Sequence, residues 1–243
     1  MSESSADRYQ NYTQWKRWQG TFEVRERDAR YFAAELRGIA LHGRRVLEIG
    51  FGNGSFLAWA KSRGAEVCGL EINPEMLAAA ARHGYPARNL SLVELAAEGA
   101  HFDLIAAFDV IEHWDVDELI ANFRAVAALL TDSGRFVVRF PNGHSPFGRV
   151  YQYGDFTHKS VISSYKIDYL AGVADLDVLR IENERRVSSR AGVLRALRHR
   201  WLALRRAWIE RSLSKIYGTP RLPLAPNLVA VLRRRVQDGT TDT

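Results

Sequence analysis

The stretch VLEIGFGNG, residues 46–54, decides the fold class of this chain. It begins in an apolar run typical of a buried strand, and Gly50, Gly52 and Gly54 then follow at alternate positions. Glycines at the carboxyl end of a strand let the backbone approach a ligand, because no Cβ stands in the way. A helix predicted from Ser55 completes a strand, turn and helix of the ligand-binding type.

Strands and helices alternate on the C-terminal side of this turn. Asn73 and Pro74 match the N-cap and first position of a helix. Strands are predicted at 44–50, 65–71, 89–92, 102–109, 134–142, 176–184 and 226–235, and helices at 55–64, 74–83, 113–130 and 163–173. This alternation predicts an α/β fold with a mostly parallel sheet covered by helices on both faces.

The chain divides into four predicted segments. Residues 1–43 form a helical lid, 44–184 the core, 185–226 a basic helical insertion, and 227–243 the final strand with a polar tail. The aromatic residues of the first segment recur at helical spacing, namely Tyr9, Tyr12, Trp15 and Trp18. They either cover the active site or pack on the surface of the domain.

Glu71 ends the second predicted strand, twenty-one residues after Gly50. At that spacing a carboxylate can accept hydrogen bonds from both hydroxyls of a ribose. A solvated strand end is the alternative interpretation of Glu71. The dinucleotide pattern Gly-x-Gly-x-x-Gly needs glycine where this chain has Ser55, so we expect that NAD does not bind.

Three runs, VLEIGFGNG, VCGLEINPEML and FDLIAAFDVIEH, together resemble the successive motifs of class I S-adenosylmethionine methyltransferases. The resemblance covers residues 44–184 and returns at 227–235. It implies a Rossmann-like, seven-stranded, mostly parallel sheet, and S-adenosyl-L-methionine as the cofactor.

The resemblance also implies positions for the cofactor. Glu48 and the turn Gly50, Phe51, Gly52, Asn53 and Gly54 would surround its amino acid end. Glu71 would hold the ribose and Ile72 the adenine, with Asn89 and Leu90 near the adenine amino group. Asp109 and Val110 would border the methionine and the methyl group.

Methylation of a neutral hydroxyl needs a proton acceptor, and a histidine suits that work near neutral pH. His158 lies in a long aromatic loop and is the first candidate, with Asp155 either orienting its ring or capping the next helix. His113 is the second candidate, because it could instead order the start of a helix. We expect no metal ion, although Asp109, Glu112 and His113 would together suit magnesium.

The loop PNGHSPFGRVYQYGDFTHKS, residues 141–160, resembles a loop of methyltransferases found with bacterial polysaccharide biosynthesis genes. It favours O-methylation of a sugar, a glycan or another small-molecule hydroxyl. The chain lacks the Asn-Pro-Pro-Tyr signature of DNA base methylation. The alternatives are a lipid-like or quinone acceptor at a membrane surface, and a non-catalytic S-adenosylmethionine-binding module.

The net charge of +6 is concentrated in one segment, because residues 185–216 hold nine Arg and one Lys against one Glu. A helical apolar stripe is predicted there, formed by Leu194, Leu197, Trp201, Leu204 and Trp208. The helix at 193–217 could pack on its own domain, form a homodimer or rest on an anionic membrane. Charge alone does not indicate nucleic acid, and none is expected.

The single cysteine, Cys68, excludes an intramolecular disulfide framework. The polar first residues and the lack of a long apolar run predict a cytoplasmic protein. Peripheral contact with the inner membrane surface remains an alternative.

Overall fold

The computed structural model describes residues 20–185, 187, 193–220 and 222–235. The four aromatic residues predicted on the first helix face lie outside these ranges. The described strands, in chain order, are β1 (Arg45–Ile49), β2 (Glu66–Leu70), β3 (Ala87–Arg88), β4 (Phe102–Phe108), β5 (Leu130–Pro141), β6 (Leu176–Asn183) and β7 (Asn227–Arg234).

These strands form one sheet of seven in the order β3-β2-β1-β4-β5-β7-β6. The pairings from β3 to β5 are parallel, whereas β7 is antiparallel to both β5 and β6. The predicted seven-stranded, mostly parallel sheet is therefore confirmed.

Helices cover both faces of the sheet. They are α1 (Glu26–Glu35), α2 (Ser55–Ser62), α3 (Pro74–Arg82), α4 (Leu92–Ala97), α5 (Val116–Leu129), α6 (Arg149–Gln152), α7 (Ser164–Val173) and α8 (Val193–Tyr217), with a 3₁₀ turn at Ile111–His113. On one face Phe32 of α1 and Phe56 of α2 enter the core. On the other face the core includes Phe123 of α5 and Leu170 of α7. Burial on both faces explains why the inner strands are almost wholly apolar.

The predicted third strand is wrong in its position. The strand that lies beside β2 at the edge of the sheet is β3, only two residues long at Ala87–Arg88, and a helix begins at Leu92, within the range predicted for the strand. The Ser91 side chain accepts from the N–H of Glu94, and the Glu94 carboxylate accepts from the N–H of Ser91. This capping box starts α4 and converts the apolar residues after Ser91 into one helix face.

Two irregular segments meet at the carboxyl edge of the sheet. Pro141, at the end of β5, pairs with Asn227, and Asn183, at the end of β6, pairs with Leu228. The loop after β5 therefore leaves the sheet at the edge where α8 is inserted between β6 and β7. No described helix is long and apolar enough to cross a membrane.

Candidate functional site

A cavity of about 850 Å³ lies at the carboxyl ends of β1, β2 and β4, which is where parallel sheets bind ligands. We divide its lining into two halves. The cofactor half comprises residues 48–53, 71–73, 90–93, 109 and 110. The acceptor half comprises Asp28, Tyr31, Phe108, His113, Trp114, Arg139, Thr157 and Lys159.

The glycine turn has a backbone that other residues would strain. Gly50 has φ +62°, and a Cβ there would stand 2.8 Å from Cγ2 of Val110. Gly54 has φ +73° and is the N-cap of α2, with the ring of Phe22 against it. Both positions therefore require glycine, and the backbone of residues 50–53 forms part of the cavity wall.

Glu71 holds this turn to the end of β2. One carboxylate oxygen accepts from the N–H of Gly52 at 3.0 Å, and the other accepts from Ile72 at 2.8 Å and Asn73 at 3.0 Å. With two lone pairs on each carboxylate oxygen, the oxygen that accepts from Ile72 and Asn73 is fully used, and the one that accepts from Gly52 keeps one lone pair for a ribose hydroxyl. The position of Glu71 in the sequence predicts a contact with the ligand, and its role in shaping the turn is visible only in the structure.

Glu48 is a buried carboxyl group in the wall of the cavity. Burial, and then the nearby charge of Glu71, raises the pKa of Glu48 well above its ordinary value. Among the described residues no group hydrogen-bonds Glu48 Oε2. A buried acceptor without a donor is costly, so this oxygen is suited to a cationic ligand group.

Asp109 has φ +57° where it leaves β4. Its carboxylate accepts from Nε of Arg139 at 2.9 Å and also pairs with Nη2 of that residue. Nη1 of Arg139 donates to Glu184 at 3.1 Å, and the guanidinium lies 5.2 Å from the ring centre of Tyr31. Asp109 therefore borders the cavity as part of an ion-pair network. A lone arginine within an apolar strand was the signal in the sequence that could have revealed it.

His113 ends the 3₁₀ turn after β4 and faces the acceptor half. Its Nδ1 lies 3.2 Å from the carbonyl oxygen of Thr157 and 3.0 Å from Thr157 Oγ1. That hydroxyl donates its own hydrogen to Oδ1 of Asp155. Both partners of Nδ1 are therefore acceptors, which assigns the ring hydrogen to Nδ1 and the lone pair of the neutral ring to Nε2.

His158 lies behind His113, with the two ring centres 4.7 Å apart in an edge-to-face arrangement. Its side chain is only 6% exposed. Nδ1 donates to the carbonyl of Gln152 at 3.1 Å, and Nε2 lies 3.9 Å from Glu112 and 3.8 Å from Asp155. Asp155 thus lies beside the imidazole of His158, while the following helix α7 is capped by Ser163.

The structure brings most of the predicted site residues together. All predicted cofactor residues except Gly54 and Asn89 line the cavity, and Asn89 is exposed. Of the predicted catalytic residues, His113 lines the cavity and His158 and Asp155 do not. The roles themselves stay predictions, and the geometry reverses the order of the two histidines.

Several lining residues escaped sequence analysis. Tyr31 reaches the cavity from α1, and burial raises the pKa of its hydroxyl, which keeps it protonated. Lys159 forms a 2.9 Å ion pair with Glu118 at the rim. Thr157 carries no sequence signal, because its importance depends on a contact with His113 across 44 residues.

One group of side chains could hold a metal ion. Glu112, His113 and His158 each bring a ligand-type atom within 4.8 Å of the others. Asp109, which the sequence alternative included, is instead paired with Arg139. The expectation of no metal stays a prediction, and this cluster is the place to test it.

The cofactor half fits S-adenosylmethionine. Glu48 Oε2 needs a positively charged partner, and the cofactor has an ammonium and a sulfonium group. The glycine turn leaves room that a Cβ would fill, and Glu71 keeps one lone pair for a ribose hydroxyl. The cavity volume is within the roughly 300–1,000 Å³ of small-molecule sites.

Comparisons with known proteins agree with this geometry. A family model described as a methyltransferase domain matches residues 22–180. The chain is 20% identical to a SAM-dependent methyltransferase from Archaeoglobus fulgidus, with a TM-score of 0.64 over 93% of this chain and 99% of that one.

Two curated relatives are each named ubiquinone biosynthesis O-methyltransferase. The protein from Xylella fastidiosa is 33% identical over 107 residues, which is 41% of this chain and 43% of that protein. The protein from Xanthomonas campestris pv. campestris is 36% identical over 104 residues, 40% of this chain and 42% of that protein. The match spans less than half the length of these relatives.

Proposed function

Because the chain belongs to the methyltransferase domain family and is a class I S-adenosylmethionine-dependent methyltransferase, we propose that it methylates a hydroxyl group of an aromatic small molecule. The observation that carries this proposal is His113, held at the cavity wall with its lone pair on Nε2. The aromatic side chains of Tyr31, Phe108 and Trp114 line the same half. The relatives are named O-methyltransferases of ubiquinone biosynthesis, which favours transfer to an oxygen atom over transfer to an amine.

S-adenosylmethionine, when bound, supplies a methyl group on a sulfonium sulfur for in-line transfer. Nε2 of His113 would accept the hydroxyl proton as the acceptor oxygen bonds to the methyl carbon, while the bond from that carbon to the sulfonium sulfur breaks and its electron pair stays on sulfur as a neutral thioether. Thr157 holds the hydrogen on Nδ1, which keeps Nε2 able to accept. Asp155 in turn accepts a hydrogen bond from the hydroxyl of Thr157, which leaves the oxygen of that hydroxyl to accept the hydrogen of His113 Nδ1.

The rest of the acceptor half aligns the substrate and keeps water out. Arg139 and Asp109 form an ion pair, which keeps both side chains out of the path of the methyl group. Tyr31, protonated and buried, can donate a hydrogen bond to the acceptor. Such positioning supplies much of the rate of a bimolecular transfer, because the reacting groups are held in line.

Methyl transfer from labelled cofactor to a panel of phenols and catechols tests the proposal. We expect label in a product that resists alkaline hydrolysis, since a methyl ether does and a methyl ester does not. The Phe147→Ala variant changes an exposed loop residue outside the cavity lining, so it should keep the methyl-transfer activity of the wild type. Label found only in base-labile products would overturn O-methylation of a hydroxyl.

A second candidate, methylation of a sugar hydroxyl, is favoured by one observation. Tyr151, Tyr153 and Phe156 are exposed on the loop that leads to Thr157, and aromatic rings of this kind can pack against a sugar. The same panel should then include monosaccharides and glycans. Turnover of these with no turnover of phenols would replace the first candidate by the second.

A further inference from the structure

Four large apolar side chains of the helix α8 are exposed to solvent along one face. Leu197, Trp201, Leu204 and Trp208 follow each other at intervals of four, three and four residues, which places them on one helix face. Each is more than half exposed. We call these four residues the apolar stripe. Exposed apolar residues in such a continuous row indicate an interaction surface.

The orientation of α8 is set from its opposite face. Glu210 is 4% exposed, and its Oε1 accepts from Nδ2 of Asn183 at 3.1 Å and from the N–H of Leu224 at 2.9 Å. Both partners belong to the carboxyl edge of the sheet. Glu210 lies nearly half a turn away from the apolar stripe, so the bonds that fix the helix also turn the stripe outward.

Arginines border the apolar stripe on both sides. By the helical repeat, Arg198 and Arg205 lie along one side and Arg200 and Arg211 along the other, and all four are exposed. The guanidinium of Arg205 lies 4.7 Å from the ring centre of Trp201. A row of tryptophan and leucine between two rows of cations matches an anionic lipid surface, which receives the apolar groups and neutralises the charges.

A second copy of the chain fits this surface less well. Apposing two apolar stripes would bring the arginine rows of both copies together, and like charges at an interface are unfavourable. The neighbouring loop after β5 adds an exposed apolar side chain to this surface and does not cover it. Ser145 of that loop donates to Leu224 O at 2.7 Å, and Phe147 two residues later is exposed.

We propose that the apolar stripe and its flanking arginines dock this protein on an anionic lipid bilayer. Docking would seat α8 at the bilayer surface, with its tryptophans among the headgroups. The proposal does not depend on which acceptor is methylated, and its test measures no methyl transfer.

Co-sedimentation of the full chain with vesicles tests the proposal. We expect binding to phosphatidylcholine vesicles that contain phosphatidylglycerol, weak binding to phosphatidylcholine alone, and loss of binding as salt rises. The double variant Arg198→Gln/Arg205→Gln should bind roughly 30-fold more weakly, at about 5-fold for each arginine near the surface. The matched control is Arg27→Gln/Arg82→Gln, which removes two exposed arginines elsewhere and should bind as the wild type does.

A second pair of variants separates insertion from charge attraction. Trp201→Ser/Trp208→Ser should lower vesicle binding by at least tenfold, whereas Tyr169→Ser, an exposed aromatic change on α7, should not. Binding of S-adenosylhomocysteine and the melting temperature verify that each variant is folded. Wild type that ignores anionic vesicles at low salt would overturn the proposal. So would a tryptophan variant that binds vesicles normally, or one whose only defect is a lost dimer or lost nucleic-acid binding.

Discussion

The cofactor half of the cavity is held by hydrogen bonds from nearby backbone N–H groups to one side chain, Glu71, whereas the acceptor half is held by contacts between segments that are distant along the chain. Glu71 collects three N–H groups, all within nineteen residues of it. His113 is held instead by Thr157, which lies 44 residues away along the chain. The first half is locally determined, and the second exists only when the loop after β5 is in place.

This difference predicts that the two halves fail in different ways. Substitutions in the cofactor half should change the dissociation constant of the cofactor. Substitutions in the acceptor half should change turnover and leave cofactor binding intact.

His113→Gln should lower kcat by about 100-fold or more, the usual contribution of a positioned general base. Its cofactor dissociation constant, measured by calorimetry, should stay within about twofold of wild type. His158→Gln is the comparison variant and should lose less, because that ring lies behind His113. If the His158 variant is the more damaged, the order expected from sequence is restored and our assignment of the base is wrong.

Glu71→Ala should weaken S-adenosylmethionine binding by about 10- to 150-fold. That range corresponds to about 1.5–3 kcal/mol for hydrogen bonds to a charged group. Glu75→Ala, a nearby acidic change at the start of α3, is the matched control. An unchanged dissociation constant for Glu71→Ala would show that this carboxylate shapes the turn without holding the ligand.

Glu48→Gln should affect stability and binding in opposite directions. The folded pKa of Glu48 is raised above its ordinary value of 4.5, so its stabilising contribution is complete below pH 4.5 and declines as pH rises through the raised value. Above that window the apo variant should melt higher than the wild type, and ~1 kcal/mol would move Tm by about 2–4 °C. The variant should bind the cofactor more weakly.

The expected change in the melting temperature of the apo protein on Glu48→Gln is an increase. Thermal melts of apo wild type and variant across pH measure it directly, and the difference between them should shrink toward acid. A variant that melts lower than wild type above that pH window would show that the hydrogen bond from the Leu57 backbone N–H to Glu48 outweighs the cost of burying the carboxylate.

Removal of divalent metal should have the smallest effect. Treatment with a chelator followed by gel filtration should leave kcat within about twofold, because hydrogen bonds to Thr157 already fix the His113 tautomer. Restoration of a lost activity by added magnesium or zinc would instead assign a metal to the cluster of Glu112, His113 and His158.

Short-range patterns made much of the fold and the cofactor half predictable. Gly50, Gly54 and Glu71 stand at fixed distances from strand ends, and the seven-stranded sheet follows from the alternation of apolar runs. The error at β3 arose because Ser91 and Glu94 form a capping box, and this local signal outweighed the apolar run around them.

The acceptor half could not be predicted in the same way. Thr157 has no pattern of its own, and Tyr31 enters the cavity only because α1 packs beside β4. The long aromatic loop favoured His158 as the catalytic histidine, but a sequence does not show which of the two histidines lines the cavity. Contacts across more than forty residues depend on the folded chain and leave no local periodicity.

Because Thr157 sets the tautomer of His113, the ring of His113 reports whether the two residues are in contact. Thr157 keeps the ring hydrogen on Nδ1, so any displacement of the loop that carries Thr157 would make both tautomers accessible. Nitrogen chemical shifts of a single ring would therefore record the position of a loop twenty residues long. Arrival of an acceptor under that loop would be visible in the same signal before any methyl group moves.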